Sequence, residues 1–449
     1  MKRFLSRAIL IVASILIGIY FIGSLYYKDR FPRNVFVNEV NIGGKNLIQA
    51  DKEIEKSDLW NKITIKSNIE DFLVIEADDI EYSYVNTPEL PKIYIKEKGE
   101  NWLLAFFNQS SYNTDIVYDY DKDKIKKMID TIEEFDQRLM DASIIYSSDT
   151  DSFVIKPHSY EIKIEKEQLF DLIVQAIDKR DSEVNIDKYI EQADIFQDDK
   201  ALIAAKDKAN DYLNMQIRYD FGDRKELIER SVLKDFITFE GTEIVIDPEK
   251  VKIYVRELAL KYDTFGKNRR FKTSKGQIIT TNGGSYGWLI HRGQTVDALI
   301  EHIQVGENAT IEPIYSYKAL IRDSNDIGNS YVEIDLKEQM VYVYINGQLK
   351  VSTQTVTGNV SKGNATPTGV YPINYKERNA ILTGEDYASP VNYWMPFNKD
   401  IGLHDADWRD SFGENIFETD GSNGCVNLPP NNAKNIFDLV YPGMPVIVH

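Results

Sequence analysis

The chain carries a single cysteine, Cys425, and His404 is the histidine that stands near it in sequence apart from the terminal His449. A free thiol with a pKa near 8.5 is only a few per cent thiolate at neutral pH. To attack an amide carbonyl it needs a base that takes its proton, and His404 is the candidate base and acid. The cysteine sits in Gly421-Ser422-Asn423-Gly424-Cys425-Val426-Asn427. Ser422, Asn423 and Gly424 are expected to make a tight turn whose backbone N–H groups, Gly424 above all, point with that of Cys425 at a developing oxyanion, each such donor being worth roughly 3–4 kcal/mol. Gly424 lets substrate approach without a Cβ. The backbone or hydroxyl of Ser422 is the nearest group to receive the second imidazole N–H and orient the ring. A buried, inert cysteine is the competing reading. Flanking glycines after a polar loop are unlike a core cysteine.

A strand-rich region positions these residues. Tyr331 to Leu336 and Met340 to Ile345 alternate apolar with polar positions, and Asn346-Gly347 is a hairpin signal leading into Leu349 to Val356. Ala365 to Ile373 returns to strand between Pro and Gly punctuation. Tyr375 to Val391 is polar and is expected to be a long loop or lid. Tyr393, Trp394, Met395 and Trp408 flank the pair and read as aromatic core packing, for two of the four at least, or as the lining of a groove, together with Asn423 and Asn427. The acidic positions Asp405, Asp407, Asp410, Glu414, Glu418 and Asp420 around Arg409 read as a solvated loop or as an attractant for a cationic amine.

Ahead of this region lies a duplicated pattern. From Asp121 to Ile177 a helix, short strands and a second helix follow one another, and the same order recurs from Asp247 to Ile303, about 126 residues later. His158, His291 and His302 are scattered and form no metal-ligand spacing. Trp288 and Tyr286 beside Gly283-Gly284 read as core plugs or as sugar platforms, and the modules as a stalk or as glycan binders.

At the N-terminus, Ala8 to Tyr27 runs without a charge, enough helix to span a bilayer core. Its length and the absence of a small-residue cleavage site favour an uncleaved anchor over a signal peptide. Lys2, Arg3 and Arg7 precede it and Lys28, Arg30 and Arg33 follow it, so charge orients it weakly; the expected topology has a cytoplasmic N-terminus and the remainder of the chain outside.

The length of 449 residues suggests about three domains. Lys and Arg number 53 against 71 Asp and Glu, for a net charge of −18, which argues against a nucleic-acid partner. One cysteine excludes an intramolecular disulfide and a Cys-rich zinc site. The expected architecture is multidomain: residues 1–30 cytoplasmic tip and transmembrane helix, 31–195 and 196–327 two α+β modules, and 328–449 a mostly-β catalytic domain.

The C-terminal motifs resemble those of the YkuD-type L,D-transpeptidases of bacterial cell walls. His404 is followed by 17 residues and then by Ser422-Asn423-Gly424-Cys425-Val426-Asn427. Thr366-Pro367-Thr368-Gly369 matches the family's Thr-Pro-x-Gly, and His404 with Trp408 matches a His-x-x-x-Trp seen in some members. Asn423 stands where the family usually has histidine, while the histidine taken as base is retained in His404. The second module, with Tyr262-Asp263-Thr264-Phe265-Gly266 and Gly283 to Trp288, resembles the peptidoglycan-binding repeat of exported Gram-positive proteins. The first copy lacks the Gly-Gly-x-Tyr-Gly-Trp turn. These resemblances imply acyl transfer in peptidoglycan, with stem peptides and glycan as partners, without metal or cofactor: Cys425 attacks the third stem residue's carbonyl, D-alanine leaves, and an acceptor side-chain amine closes a 3→3 cross-link. An L,D-carboxypeptidase of the same site and a non-catalytic wall-anchoring protein are the alternatives.

Overall fold

The computed structural model describes residues 2–57, 60–384 and 387–449. Helix α1 (Lys2–Tyr26) runs into a short 3-10 turn, and the stretch Phe4–Asp29 is long and apolar enough to cross a membrane. At 1.5 Å per residue its 26 residues extend about 39 Å.

The chain forms two compact units, one of residues 2–142 with 157–197 and the other of 143–156 with 198–449. The duplication is visible in both. Asp121 and Asp247 each cap a helix, Lys122–Ile129 and Pro248–Tyr262, by accepting from the two backbone N–H groups that follow at the first turn. Each copy also closes on a parallel strand pair: Lys62–Lys66 with Glu183–Asn185, and Ile217–Asp220 with Ala309–Ile311. The mixed α+β character expected of both modules is observed. The hairpin Ser143–Ser147 with Ser152–Lys156 lies in the second unit, where Phe153 exchanges both backbone hydrogen bonds with the Asn210 amide, at 2.9 and 3.0 Å.

The C-terminal domain is rich in strands, as expected. Five strands, β1 (Tyr331–Asp335), β2 (Met340–Ile345), β3 (Gln348–Gln354), β4 (Gly369–Pro372) and, at the chain end, Pro445–Val448, form one sheet. A second sheet runs in the order β5 (Glu377–Gly384), β6 (Tyr387–Asn398), β7 (Ile401–Asp405), β8 (Val426–Leu428). Period-two alternation sends Val332, Ile334, Val341 and Val343 of the first sheet and Met395, Leu403, Val426 and Leu428 of the second into one core, closed by helix α2 (Pro430–Leu439). Tyr375 to Val391, expected to be a loop, is instead largely the β5–β6 hairpin, with Ala380 opposite Val391 and Glu377 opposite Trp394. Its polar residues are the outward half of a strand pair, a pattern that composition alone reads as loop.

The second module is seated on this domain within the same unit. The backbone N–H of Val370 in β4 donates to the carbonyl of Gly283 at 2.9 Å, and Gly284 pairs with Val370 in a parallel bridge. The carboxylate of Glu333, 1% exposed, accepts from both the backbone and the hydroxyl of Ser274, and the imidazole of His449 lies 3.1 Å from it. Tyr286 is fully packed beneath the turn, its hydroxyl donating to the Asp326 carbonyl, so it acts as a core plug. Gly284 has φ +104°, and a Cβ there would stand 2.0 Å from the Val370 carbonyl oxygen. A Gly284→Ala protein is therefore expected to lose about 2–3 kcal/mol, read as a lower urea midpoint of the second unit; an unchanged midpoint would show that the turn is not a fixed junction.

Candidate active site

Three strands register one row of side chains. Trp394 in β6 opposes His404 in β7, and His404 opposes Asn427 in the parallel strand β8. The next row, Met395, Leu403 and Val426, faces the core. Residues in register share a face, so Trp394, His404 and Asn427 lie on the side away from the core. Cys425 immediately precedes β8 and falls on that same side, next to Gly402.

His404 is buried, with its ring between Trp394 and Trp408, each 5.9 Å away centroid to centroid. Its Nδ1 stands 2.8 Å from the backbone carbonyl oxygen of Asp405. A carbonyl can only accept, so the proton sits on Nδ1 and the neutral ring presents a bare Nε2. Burial holds the imidazole below its ordinary pKa range, against smaller opposing effects from the Asp405 carbonyl and carboxylate. The Asp405 carboxylate accepts from the backbone N–H groups of Asn392 and Tyr393 and from the Asn392 amide, at 2.8–3.1 Å, which locks β7 against β6.

Cys425 lines a groove of about 230 Å³ together with Glu377, Ala380, Leu382 and Thr383 of β5, Trp394, Lys399 and Asp400. Its thiol points to the Asp400 carbonyl at 3.5 Å. Burial pushes the thiol pKa up to about 11, with the Gly402 backbone hydrogen bond pulling the other way and the Asp400 charge adding to the rise. The resting pair is thus a neutral thiol and a neutral imidazole.

The turn before the cysteine is tied down from three sides. The Ser422 hydroxyl donates to the Cys425 carbonyl at 2.5 Å and accepts from the Gly424 N–H at 3.1 Å. Backbone bonds join Ser422 to Thr357 and Asn359. The Thr366 hydroxyl donates to the Gly424 carbonyl at 2.8 Å while accepting from the Gly358 N–H. Gly424 has φ +114°, a conformation that a side chain resists.

Several sequence expectations change here. Ser422 does not orient His404: its hydroxyl is engaged within the turn, its carbonyl accepts from the Asn359 N–H, and the Asp405 carbonyl takes that place. The Gly424 N–H is engaged with Ser422 rather than aimed at an oxyanion. Met395 is fully buried in the core because its parity in β6 is opposite to that of Trp394. Tyr393 packs on Phe437 of α2, with Arg378 over its ring. Asn427 is buried, and its Oδ1 has no hydrogen-bond partner among the described residues. Of the expected groove residues, Trp394 lines the groove, Trp408 is half exposed beside His404, and Asn423 is exposed and accepts from the Asn364 amide. Asp405 is buried rather than part of a solvated acidic loop, whereas Asp420 is exposed and paired with Arg409 at 3.2 Å. Thr366 and Asp405 were not singled out as positioning groups. The first was marked by the Thr-Pro-x-Gly match; the second carried no local signal.

The family model described as the YkuD L,D-transpeptidase catalytic domain matches residues 329–448, and the one described as "Putative peptidoglycan binding domain" matches 73–185 and 198–312. Among solved structures, a cysteine-to-serine variant of the Enterococcus faecium L,D-transpeptidase is 32% identical, over 56% of this chain and 100% of that one, with a TM-score of 0.48. The chain belongs to the YkuD-type L,D-transpeptidases. The catalytic domain of the E. faecium L,D-transpeptidase, solved acylated by ertapenem, is 39% identical to the L,D-transpeptidase domain here, covering 27% of this chain and 98% of that one at a TM-score of 0.26. A Mycobacterium tuberculosis L,D-transpeptidase is 24% identical over 27% of this chain and 57% of its own, at a TM-score of 0.25. Comparison with curated proteins gives no match.

Two outcomes follow for this L,D-transpeptidase domain. With the only cysteine as reporter, the rate of alkylation by iodoacetamide is expected to keep rising beyond pH 9, toward the thiol pKa of about 11. A plateau reached below pH 7 would instead reveal a preformed thiolate–imidazolium pair. Asp405→Ala leaves the N–H groups of Asn392 and Tyr393 without their acceptor and is expected to cost about 3 kcal/mol in a urea titration, while Asp405→Asn, which keeps an acceptor oxygen, costs less. Equal midpoints for the two variants would contradict the role given to the carboxylate.

Proposed function

We propose that the domain is a peptidoglycan L,D-transpeptidase that forms 3→3 cross-links through a Cys425 thioester. The observation that carries this reading is the Cys425 thiol lining a groove, on the same sheet face as His404, whose tautomer is set by a backbone carbonyl. As the Cys425 sulfur bonds to the carbonyl carbon of the third stem residue, its proton passes to Nε2 of His404. The C–N bond to D-alanine then breaks, and the same proton leaves with the amine. The side-chain amine of a second stem attacks the thioester and gives a proton to His404; the C–S bond breaks as the new amide forms, and His404 returns that proton to the departing sulfur, restoring the thiol.

In this mechanism the elevated thiol pKa and the depressed imidazole pKa act together. A neutral pair avoids holding two charges in a buried site before substrate arrives, and the charge that develops in the transition state is met by the N–H of Cys425 as oxyanion donor. Trp394, Trp408 and Asn423 border the substrate path. Ser422 and Gly424 shape the turn that presents the thiol. Acylation of the E. faecium catalytic domain by ertapenem supports covalent chemistry in this family. The 73–185 and 198–312 modules are assigned to peptidoglycan contact, α1 to membrane anchorage with its N-terminus in the cytoplasm, and the catalytic domain to the wall side.

The test is incubation of the full chain with a disaccharide tetrapeptide and mass spectrometry of the products. Wild type is expected to yield a cross-linked dimer with loss of D-alanine. Cys425→Ala is expected to yield none, and His404→Asn is expected to slow turnover by about 10²- to 10⁴-fold. Tripeptide without dimer would make the enzyme a carboxypeptidase, and dimer from Cys425→Ala would remove the nucleophile from the mechanism. Because a buried imidazole with a lowered pKa must be neutral to act, kcat/KM is expected to fall only in acid, with its midpoint below the ordinary histidine value near 6.5. A midpoint above that value would contradict a neutral buried base.

A further inference from the structure

A six-residue run without charge, Trp102-Leu103-Leu104-Ala105-Phe106-Phe107, stands outside the site and outside every motif described above. It belongs to the 3-10 segment Glu100–Phe106 and the residue that follows. Its side chains divide sharply. Trp102 is 4% exposed, whereas Leu103 is 46%, Leu104 59%, Phe106 44% and Phe107 84% exposed. Four large apolar side chains within five residues that all face outward are unusual for a surface meant to meet water.

Trp102 fixes where this patch lies. Its ring stacks on Tyr27 at 5.6 Å and an interplanar angle of 17°, and lies 6.2 Å from Tyr20. Its indole N–H donates to the Ser24 hydroxyl at 3.1 Å. It also sits directly on Gly23, where a Cβ would come within 2.1 Å of the ring. All these partners belong to the last two turns of α1 or to the residue after it. The other side of the segment is held by the same unit: the Asn34 amide donates to the Ala105 carbonyl at 2.9 Å, and the Arg33 guanidinium lies over the Phe106 ring at 5.5 Å. The patch is therefore fixed at the end of the helix that is long and apolar enough to cross a membrane, amid Tyr20, Tyr26, Tyr27 and Trp102 and the basic residues Lys28, Arg30 and Arg33. Aromatic rings with one polar edge and cationic side chains are the groups that favour the headgroup layer.

We infer that Leu103, Leu104, Phe106 and Phe107 form a second membrane-binding site, inserted into the outer interface of the bilayer beside α1. The occupant is the lipid interface, with Arg33 and its basic neighbours at the phosphate level. Continuity with α1 carries this choice, because a face buried against the end of a spanning helix has acyl chains and headgroups as its nearest medium. Its consequence is mechanical. A protein held by one helix swings about it, while one held at two adjacent points leaves the membrane in a set direction. The inference rests on the reading of α1 as a retained anchor.

The test uses the full chain with Cys425→Ala as a labelling background and one new cysteine, at Leu104 in one protein and at Leu16 of α1 in another. Each is labelled with an environment-sensitive fluorophore and reconstituted into vesicles of phosphatidylcholine and phosphatidylglycerol. The Leu104 label is expected to be quenched severalfold more by a spin label on the lipid than by aqueous iodide, as the Leu16 label is. A Leu16 label in lipid with a Leu104 label open to iodide would overturn the inference and leave the anchor intact. Both labels open to iodide would sink the anchor reading as well. A Leu104 label shielded from both quenchers only at high protein-to-lipid ratio would assign the face to a second copy of the chain, and would also overturn it. Phe107, more exposed still, supplies a second labelling position should the Leu104→Cys chain fold poorly.

Discussion

The parallel pairing of β7 with β8 is the constraint on which the site depends. His404 and Cys425 are separated by 20 residues, and proximity in the chain does not bring them together. What does so is the register Leu403 to Val426 and His404 to Asn427, held by apolar neighbours that must face the core. Moving β8 by one residue would turn Val426 outward and Cys425 inward. The hydrophobic pattern of Leu403, Val426 and Leu428 thus sets the position of the Cys425 thiol.

Around that pairing the polar contacts are mostly backbone contacts. The imidazole is oriented by a carbonyl, and the cysteine turn by Thr357, Asn359, Ser422 and Thr366. The turn itself is held largely by the Ser422 and Thr366 hydroxyls, and the exposed Asn423 side chain, which reaches only Asn364, stands outside this bonding. It also connects the reactive turn to the second module. The Thr366 end of the segment bonds to Gly424, and its Val370 end bonds to Gly283, so one short stretch of chain joins the peptidoglycan-binding-type module to the catalytic turn.

Much of this was legible in the sequence, and the misses share a cause. Residue types and spacing isolated Cys425 and His404, alternation identified the strands of the first sheet, and the repeat emerged from helix and strand order. Met395 and Tyr393 were misplaced because side-chain parity within β6 depends on where pairing begins. The β5–β6 hairpin read as a loop because one of its faces meets water. Ser422 was chosen as orienter for its chain proximity to Cys425, but a carbonyl adjacent to His404 is closer in space. Asp405 looked solvated because a buried carboxylate satisfied by backbone N–H groups has no local sequence mark. Likewise, Trp102 to Phe107 gains meaning only once the fold sets Trp102 against Gly23.

The central claim is that Cys425 carries the substrate as a thioester. The most direct measurement is the intact mass of the full chain, acid-quenched during incubation with a tetrapeptide stem in the absence of an acceptor amine. The account predicts a protein heavier by the donor minus D-alanine, with the added mass on the peptide that contains Cys425. Release of D-alanine with no such adduct, or an adduct on any other residue, would contradict it.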